Sequence, residues 1–249
     1  MKISAVVLTK NNQKTIKKTL ESLESFDNVV VYDNGSVDNT LEIVKEFSNV
    51  HLVEGVFNGF GWTKNKAVSY ALYDWIVIVD SDEVIDNKLL YALQTKILDE
   101  KVVYQLNFKA FYKDIQVKYC GWNNQKIKRV YNRKITKYND NHVHEDIIND
   151  GLKIELLEGY IEHYSYQTIS QFVQKADHYS TLFAQNNVGK RSSSPFKAIL
   201  NAKYSFLKTY FFKRGFLDGY VGLVIAFSHM VTNFYKYMKL YELNKEAKK

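Results

Sequence analysis

Over residues 1–100, short β-branched runs alternate with stretches whose apolar residues recur at helical spacing. Ile3 to Leu8, Asn28 to Tyr32, Val50 to Val53 and the run from Trp75 read as strands. Ile16, Leu20 and Leu23 mark a first helix, and Leu41, Val44 and Phe47 a second. Ala67, Tyr70 and Ala71 mark a third, and Leu89 to Leu98 a fourth. This alternation predicts βαβ units around a parallel sheet. Trp75-Ile76-Val77-Ile78-Val79 has no polar break, as a central parallel strand buried on both faces requires. The run stops at Asp80-Ser81-Asp82-Glu83, and ligands of open α/β sheets bind at the carboxyl ends of such strands.

Beyond Glu100 the pattern changes. Val102 to Tyr112, Lys126 to Tyr131 and Lys153 to Tyr164 are strand-like, with irregular stretches between them. Helical spacing returns from Ser170, and Gly189 to Pro195, basic and serine-rich, is the best linker. The chain thus divides into 1–100, an alternating α/β half, 101–168, a mixed half of the same domain where an acceptor pocket could be built, and 169–249, a helical extension. Gly219 to Tyr235 carries no formal charge but includes Ser228, His229, Thr232 and Asn233 between flanking bases. That composition suits a helix lying in a membrane interface better than one crossing it.

Charge sharpens this division. The chain carries a net +7, yet Tyr166 to Lys249 alone holds 13 Lys and Arg against four acids. The remainder is close to neutral, so an anionic partner is expected at the C-terminal end. A single cysteine, Cys120, excludes an internal disulfide framework and fits a reducing compartment. The apolar run at the N-terminus is too short for a signal-peptide core and reads as a first strand.

Candidate chemistry collects at the strand ends. Asp80 and Asp82 can place two carboxylates near one point, and hard oxygen ligands of this kind favour Mg²⁺ or Mn²⁺. An isolated Asp-x-Asp is more often a helix start, with Ser81 or Asp82 as the cap, and it is the rest of the chain that favours a site. Thr9-Lys10-Asn11 ends the first strand, Asp33 the second, and Gly59-Phe60-Gly61-Trp62-Thr63-Lys64-Asn65 precedes the third helix. Four such groups in register suggest a nucleotide site. A methyltransferase of Rossmann type would want a glycine-rich turn where this chain has Thr-Lys-Asn-Asn. A non-catalytic basic module binding membrane or nucleic acid would leave the acids without a role.

Leu8-Thr9-Lys10-Asn11, Val31-Tyr32-Asp33-Asn34-Gly35-Ser36, Gly59-Phe60-Gly61, Lys64-Asn65-Lys66-Ala67 and Asp80-Ser81-Asp82-Glu83 together resemble the inverting glycosyltransferases of family 2. His142-Val143-His144-Glu145, His163-Tyr164-Ser165-Tyr166 and Lys213-Arg214-Gly215-Phe216-Leu217-Asp218-Gly219 extend the resemblance to the bacterial lipopolysaccharide-core β-1,4-glucosyltransferase group. The resemblance implies a GT-A, Rossmann-like α/β sheet with a membrane-associating helical extension. It implies that Thr9 and Asp33 hold the uracil and ribose of a UDP-sugar, with Asn11 in the same nucleotide-sugar site. Lys64 would approach the diphosphate, and Asp80 the ribose or sugar hydroxyls. Asp82 and His163 would hold the metal, Mg²⁺ or Mn²⁺, and Glu145 would be the catalytic base. The expected donor sugar is glucose and the expected acceptor a lipopolysaccharide or lipooligosaccharide core. The site of action would be cytoplasmic, peripheral on the inner face of the membrane, with no nucleic-acid partner. Tyr32 and Thr63 depart from the pattern of the relatives and leave donor preference open.

Overall fold

The computed structural model describes residues 2–123, 125–141 and 145–247. They divide into two compact units, 1–109 with 124–163 and 110–123 with 164–249.

In the first unit, β1 (Ile3–Thr9), β2 (Val29–Asp33), β3 (Val50–Glu54) and β4 (Trp75–Asp80) run parallel in the order β3-β2-β1-β4. The helices α1 (Ile16–Glu21), α2 (Thr40–Val44) and α3 (Phe60–Val68) alternate with them, as the apolar spacing predicts. Strand alternation divides the interior in two. Ala5, Val7, Val77 and Val79 join one apolar cluster, while Val6, Leu8, Ile76 and Ile78 join another. Both faces of β1 and β4 are therefore covered, which suits the unbroken apolar run of β4 and the nearly unbroken one of β1.

The sheet continues from β4 in antiparallel fashion. β8 (Gln125–Asn132) pairs β4 on one side and β6 (Val102–Tyr112) on the other, and β9 (Lys153–Tyr166) and β5 (Glu83–Ile85) follow. β5 leaves β4 after a two-residue turn and pairs β9, bringing Glu83 opposite His163. The helix α4 (Asn87–Thr95) is capped by Asp86, whose carboxylate accepts the Leu89 N–H at 2.8 Å. Ser81 and Asp82 therefore do not cap it. The same Asp86 oxygen accepts the Tyr160 N–H at 3.0 Å. A side chain at Gly159, where φ is +94°, would meet the backbone nitrogen of Leu89 at 2.2 Å.

The second unit packs α5 (Ile169–Asn187), α6 (Pro195–Leu207) and α7 (Gly219–Glu246), with α7 against both others. A π-helical turn over Lys208–Phe212 and a 3₁₀ turn over Gly215–Asp218 join α6 to α7. β7 (Ile115–Val117) pairs the last three residues of β6, and Tyr112, Val117, Cys120, Phe172, Val221 and Ile225 form the unit's core. Asp218 accepts the backbone N–H groups of Lys118 and Tyr119 at 3.0 and 2.9 Å. Burial and the neighbouring Asp218 push the Cys120 thiol up to about 12, so it is no nucleophile at neutral pH.

Candidate functional site

Sheet register sets the site. Thr9 pairs Asp33 across β1 and β2, and Leu8 pairs Asp80 across β1 and β4, so these polar ends lie side by side. Thr9 is buried, and its hydroxyl has no hydrogen-bond partner among the described residues. A buried orphan hydroxyl invites a ligand or a water.

Asp33 is occupied by its own loop. Its carboxylate accepts the N–H groups of Gly35 and Ser36, each at 2.8 Å, and the Ser36 hydroxyl. Asn11 adopts a left-handed backbone, φ 55°, which asparagine tolerates better than most residues. It donates its N–H to Ser36 Oγ at 2.9 Å and accepts from the Val37 N–H at 2.8 Å. Asn11 and Asp33 thus brace the two loops that follow β1 and β2. Ser81, at the end of β4, joins the same frame by accepting from Asn12 Nδ2 at 2.7 Å.

At the end of β4 five charged side chains alternate in sign. Glu83 Oε1 lies 2.8 Å from Arg129 Nη2, which is 2.7 Å from Asp80 Oδ2. Asp80 Oδ1 is 4.0 Å from Lys64 Nζ, which is 2.6 Å from Glu145 Oε1. Glu83 also accepts the Asp80 N–H at 2.8 Å, closing the turn between β4 and β5. Lys64 is 4% exposed and sits 5.0 Å above the Tyr138 ring. Burial works against its charge, but Asp80 and Glu145 outweigh burial and hold the ammonium above its ordinary range.

The two acids that share Arg129 are pushed apart. Burial acts to raise both, yet Arg129 and Lys64 hold the Asp80 carboxyl well below the usual carboxylate range. Glu83 is 1% exposed, and burial, aided by the charge of Asp80, pushes it up to about 7 against the pull of Arg129. Arg129 also stacks its guanidinium 5.5 Å from the Phe108 ring centroid, and its Nε has no partner among the described residues.

The placement of Glu145 depends on α3. Asn65 clasps the backbone of Tyr138 in both directions, at 2.9 and 3.0 Å, and the Gly61 N–H donates to the Asn141 carbonyl at 3.2 Å. A Cβ at Gly61 would lie 1.9 Å from the Asn139 carbonyl oxygen, so only glycine lets this segment dock. Asp146, next in sequence, turns elsewhere and pairs Lys128 at 2.7 Å. His142, Val143 and His144 of the sequence motif lie outside the described residues.

Asp82 and His163 meet beside this chain of charges, with Oδ2 and Nε2 3.4 Å apart. Burial lowers the His163 pKa, but the hydrogen bond and charge of Asp82, helped by Glu83 and Asp80, carry it up to about 9. No cluster of three or more His, Cys, Asp or Glu suited to a metal exists among the described residues. Two ligands at one point still fit Mg²⁺ or Mn²⁺, which keep waters and take the remaining oxygens from substrate phosphates.

Sequence reasoning missed Arg129 altogether and assigned no role to Glu83. The signal was a basic pair, Lys128-Arg129, inside a strand-like run. Adjacent strand residues face opposite ways, so at least one of two such bases needs an acidic partner in the interior.

The model of the family described as glycosyl transferase family 2 matches residues 4–149, more than half of the chain. An uncharacterized glycosyltransferase of Rickettsia prowazekii is 30% identical over 98% of this chain and 88% of its own length. The lipopolysaccharide core biosynthesis glycosyltransferase LpsC of Rhizobium meliloti is 27% identical over 90% of this chain and 89% of its own. Among solved structures, S. aureus TarS overlaps 85% of this chain and 44% of its own at 20% identity, with a TM-score of 0.48. The segment matched by the family model carries the strand-end site from Thr9 to Glu145, and the chain belongs to glycosyl transferase family 2 as a glycosyltransferase.

Proposed function

We propose that the enzyme transfers a hexose, glucose as the first candidate, from a UDP-sugar to a lipopolysaccharide or lipooligosaccharide core, with inversion at the anomeric carbon. The observation that carries this reading is the link from Asp80 through Lys64 to Glu145, which joins the strand-end acids to one further carboxylate in a single site. Inverting transfer needs a base that takes the acceptor hydroxyl's proton as that oxygen attacks, and no covalent enzyme intermediate. Glu145 is that base, oriented by the buried Lys64 ammonium. Asp146 is held 2.7 Å from Lys128 and serves the loop instead.

Thr9, whose buried hydroxyl has no partner among the described residues, contacts the nucleoside, on a frame braced by Asn11 and Asp33. Asp80, 36% exposed at its side chain, meets ribose or sugar hydroxyls with the oxygen that faces Lys64. Asp82 and His163 would hold Mg²⁺ or Mn²⁺, which when bound offsets the charge of the departing diphosphate. The name of the LpsC relative supports a core-oligosaccharide acceptor, and the basic C-terminal third supports work at the anionic inner face of the cytoplasmic membrane.

A panel of UDP-sugars, hydrolysed or transferred with and without Mn²⁺, tests the proposal. Turnover of one UDP-hexose, lost on chelation, is the expected result. Turnover that survives a chelator, or that requires another nucleotide, contradicts it.

A further inference from the structure

The helix α6 is packed inside out. The residues it buries are the small Ala198 and Ala202, while Phe196, Ile199, Leu200, Tyr204 and Leu207 are exposed. An amphipathic helix of a globular unit ordinarily turns its bulky apolar residues inward. Small residues at the helix contact with large ones outside is the arrangement of helices whose outer surroundings are apolar.

The exposed face continues onto the neighbouring helices. Leu223, Phe227, Val231 and Tyr235 form a row along α7 at steps of four. An apolar groove of about 290 Å³ runs between this row and Ile169 and Val173 of α5. A second, of about 300 Å³, runs between it and Ile199 of α6, and Val231 lines both. The three helices therefore present one continuous apolar face, well beyond the single exposed apolar residues that need no explanation.

Charge identifies what covers it. Between Asp177 and Asp218 the chain has seven Lys and Arg and no acid. The two bounding acids are themselves engaged, Asp177 with Lys239 at 2.6 Å and Asp218 with the N–H groups of Lys118 and Tyr119. Lys203 lines the second groove, where its stem can lie along apolar surface with the ammonium at a headgroup. A second copy of this chain would bring like charges together, whereas an anionic bilayer satisfies the apolar face and the bases at once.

Resting on the reading of this enzyme as one that works at a membrane, we propose that α5, α6 and α7 lie flat on an anionic phospholipid surface. This shared face, rather than α7 alone, is the docking element. Gly215–Glu246 is long and apolar enough to cross a bilayer by length and composition. It is held sideways instead. Asn233 Nδ2 donates to Ser205 Oγ of α6 at 2.9 Å, His229 Nδ1 and Thr209 Oγ1 are 2.9 Å apart, and Lys239 pairs Asp177 of α5. α5 carries Lys175 and Asp177 at its middle, beside Gln171, Gln174 and Gln185, and cannot follow α7 into hydrocarbon.

The test is flotation of the full chain with phosphatidylcholine vesicles, with and without phosphatidylglycerol. Phe196→Glu combined with Leu200→Glu, both on α6, is compared with Ile97→Glu, an exposed apolar position of the other unit. All three sites are exposed, at 71%, 50% and 94%, so the fold should persist, checked by far-UV circular dichroism. The wild type and Ile97→Glu should float with the anionic vesicles only. The double variant should bind at least about tenfold more weakly, with UDP-sugar turnover in solution unchanged. The proposal is overturned if the folded double variant floats like the wild type, or if the wild type does not float. It is equally overturned if sedimentation shows a dimer that the double variant dissociates, since the face then belongs to a second copy. Loss of UDP-sugar turnover with flotation intact would count against the proposed activity and not against this face.

Discussion

Lys64 Nζ lies 2.6 Å from Oε1 of Glu145, 81 positions further along the chain. That pair ties the helix after β3 to the segment following β8, and through Asp80 it reaches the end of the central strand. A buried charge held by two acids is costly to unpair, and the site's behaviour under substitution follows from this.

Lys64→Met should lower stability by about 1–3 kcal/mol, the cost of leaving the partly buried Glu145 without its partner while Asp80 keeps Arg129. Asp80 and Glu145 would then face each other without the cation between them. Guanidinium denaturation of the variant and the wild type reads this directly. An unchanged midpoint would mean that Lys64 is solvated in a way its 4% exposure does not allow.

Glu83 gives a signed pH dependence. Its carboxyl is raised from an ordinary 4.5 to about 7 in the fold, with burial as the main cause. Between those values the native state binds more protons than the unfolded chain, so this group's contribution falls as pH rises. Glu83→Gln should remove that fall. The difference in unfolding free energy between variant and wild type should therefore shift in favour of glutamine from pH 4.5 to 7. A constant difference across that window would contradict the assignment.

The Asp82 and His163 pair predicts competition between metal and proton. His163 is raised to about 9 chiefly by Asp82, which overcomes burial. A metal ligand must be a neutral imidazole, so Mn²⁺ affinity should rise with pH until His163 has lost its proton near pH 9. Asp82→Asn should abolish metal-dependent turnover with the fold intact and move the His163 titration down, as read by NMR. If Asp82→Asn keeps near-normal activity in a chelator, neither residue holds a metal.

The sheet was legible because both faces of β1 and β4 are buried. Such an environment favours a largely apolar, β-branched run, broken in β1 only by the buried Ser4, and such runs are visible in one dimension. The strand-end acids were legible for the same reason, since a strand's carboxyl end marks where its apolar run stops. The wiring between them was not. Arg129 meets Asp80 and Glu83 from 49 and 46 positions away, and only the antiparallel pairing of β4 with β8 makes them neighbours. The alternative of Ser81 or Asp82 as a helix cap falls because β5 intervenes, leaving Asp86 to satisfy the start of α4. The inverted packing of α6 was equally hidden, because apolar spacing reports a helix's stripe but not which side of it meets solvent.

Glu145→Gln tests the central claim most directly. Glutamine keeps the shape and a hydrogen bond to Lys64 but cannot take the acceptor's proton. Transfer from the UDP-sugar should fall by ~10²–10⁴-fold, the usual worth of a positioned base, while donor affinity changes little. Asp146→Asn, on the carboxylate held by Lys128, should leave transfer near wild type. Loss of transfer in Asp146→Asn with Glu145→Gln active would place the base one residue later. Near-normal transfer in both would remove Glu145 from the chemistry and leave its pair with Lys64 a purely structural bond.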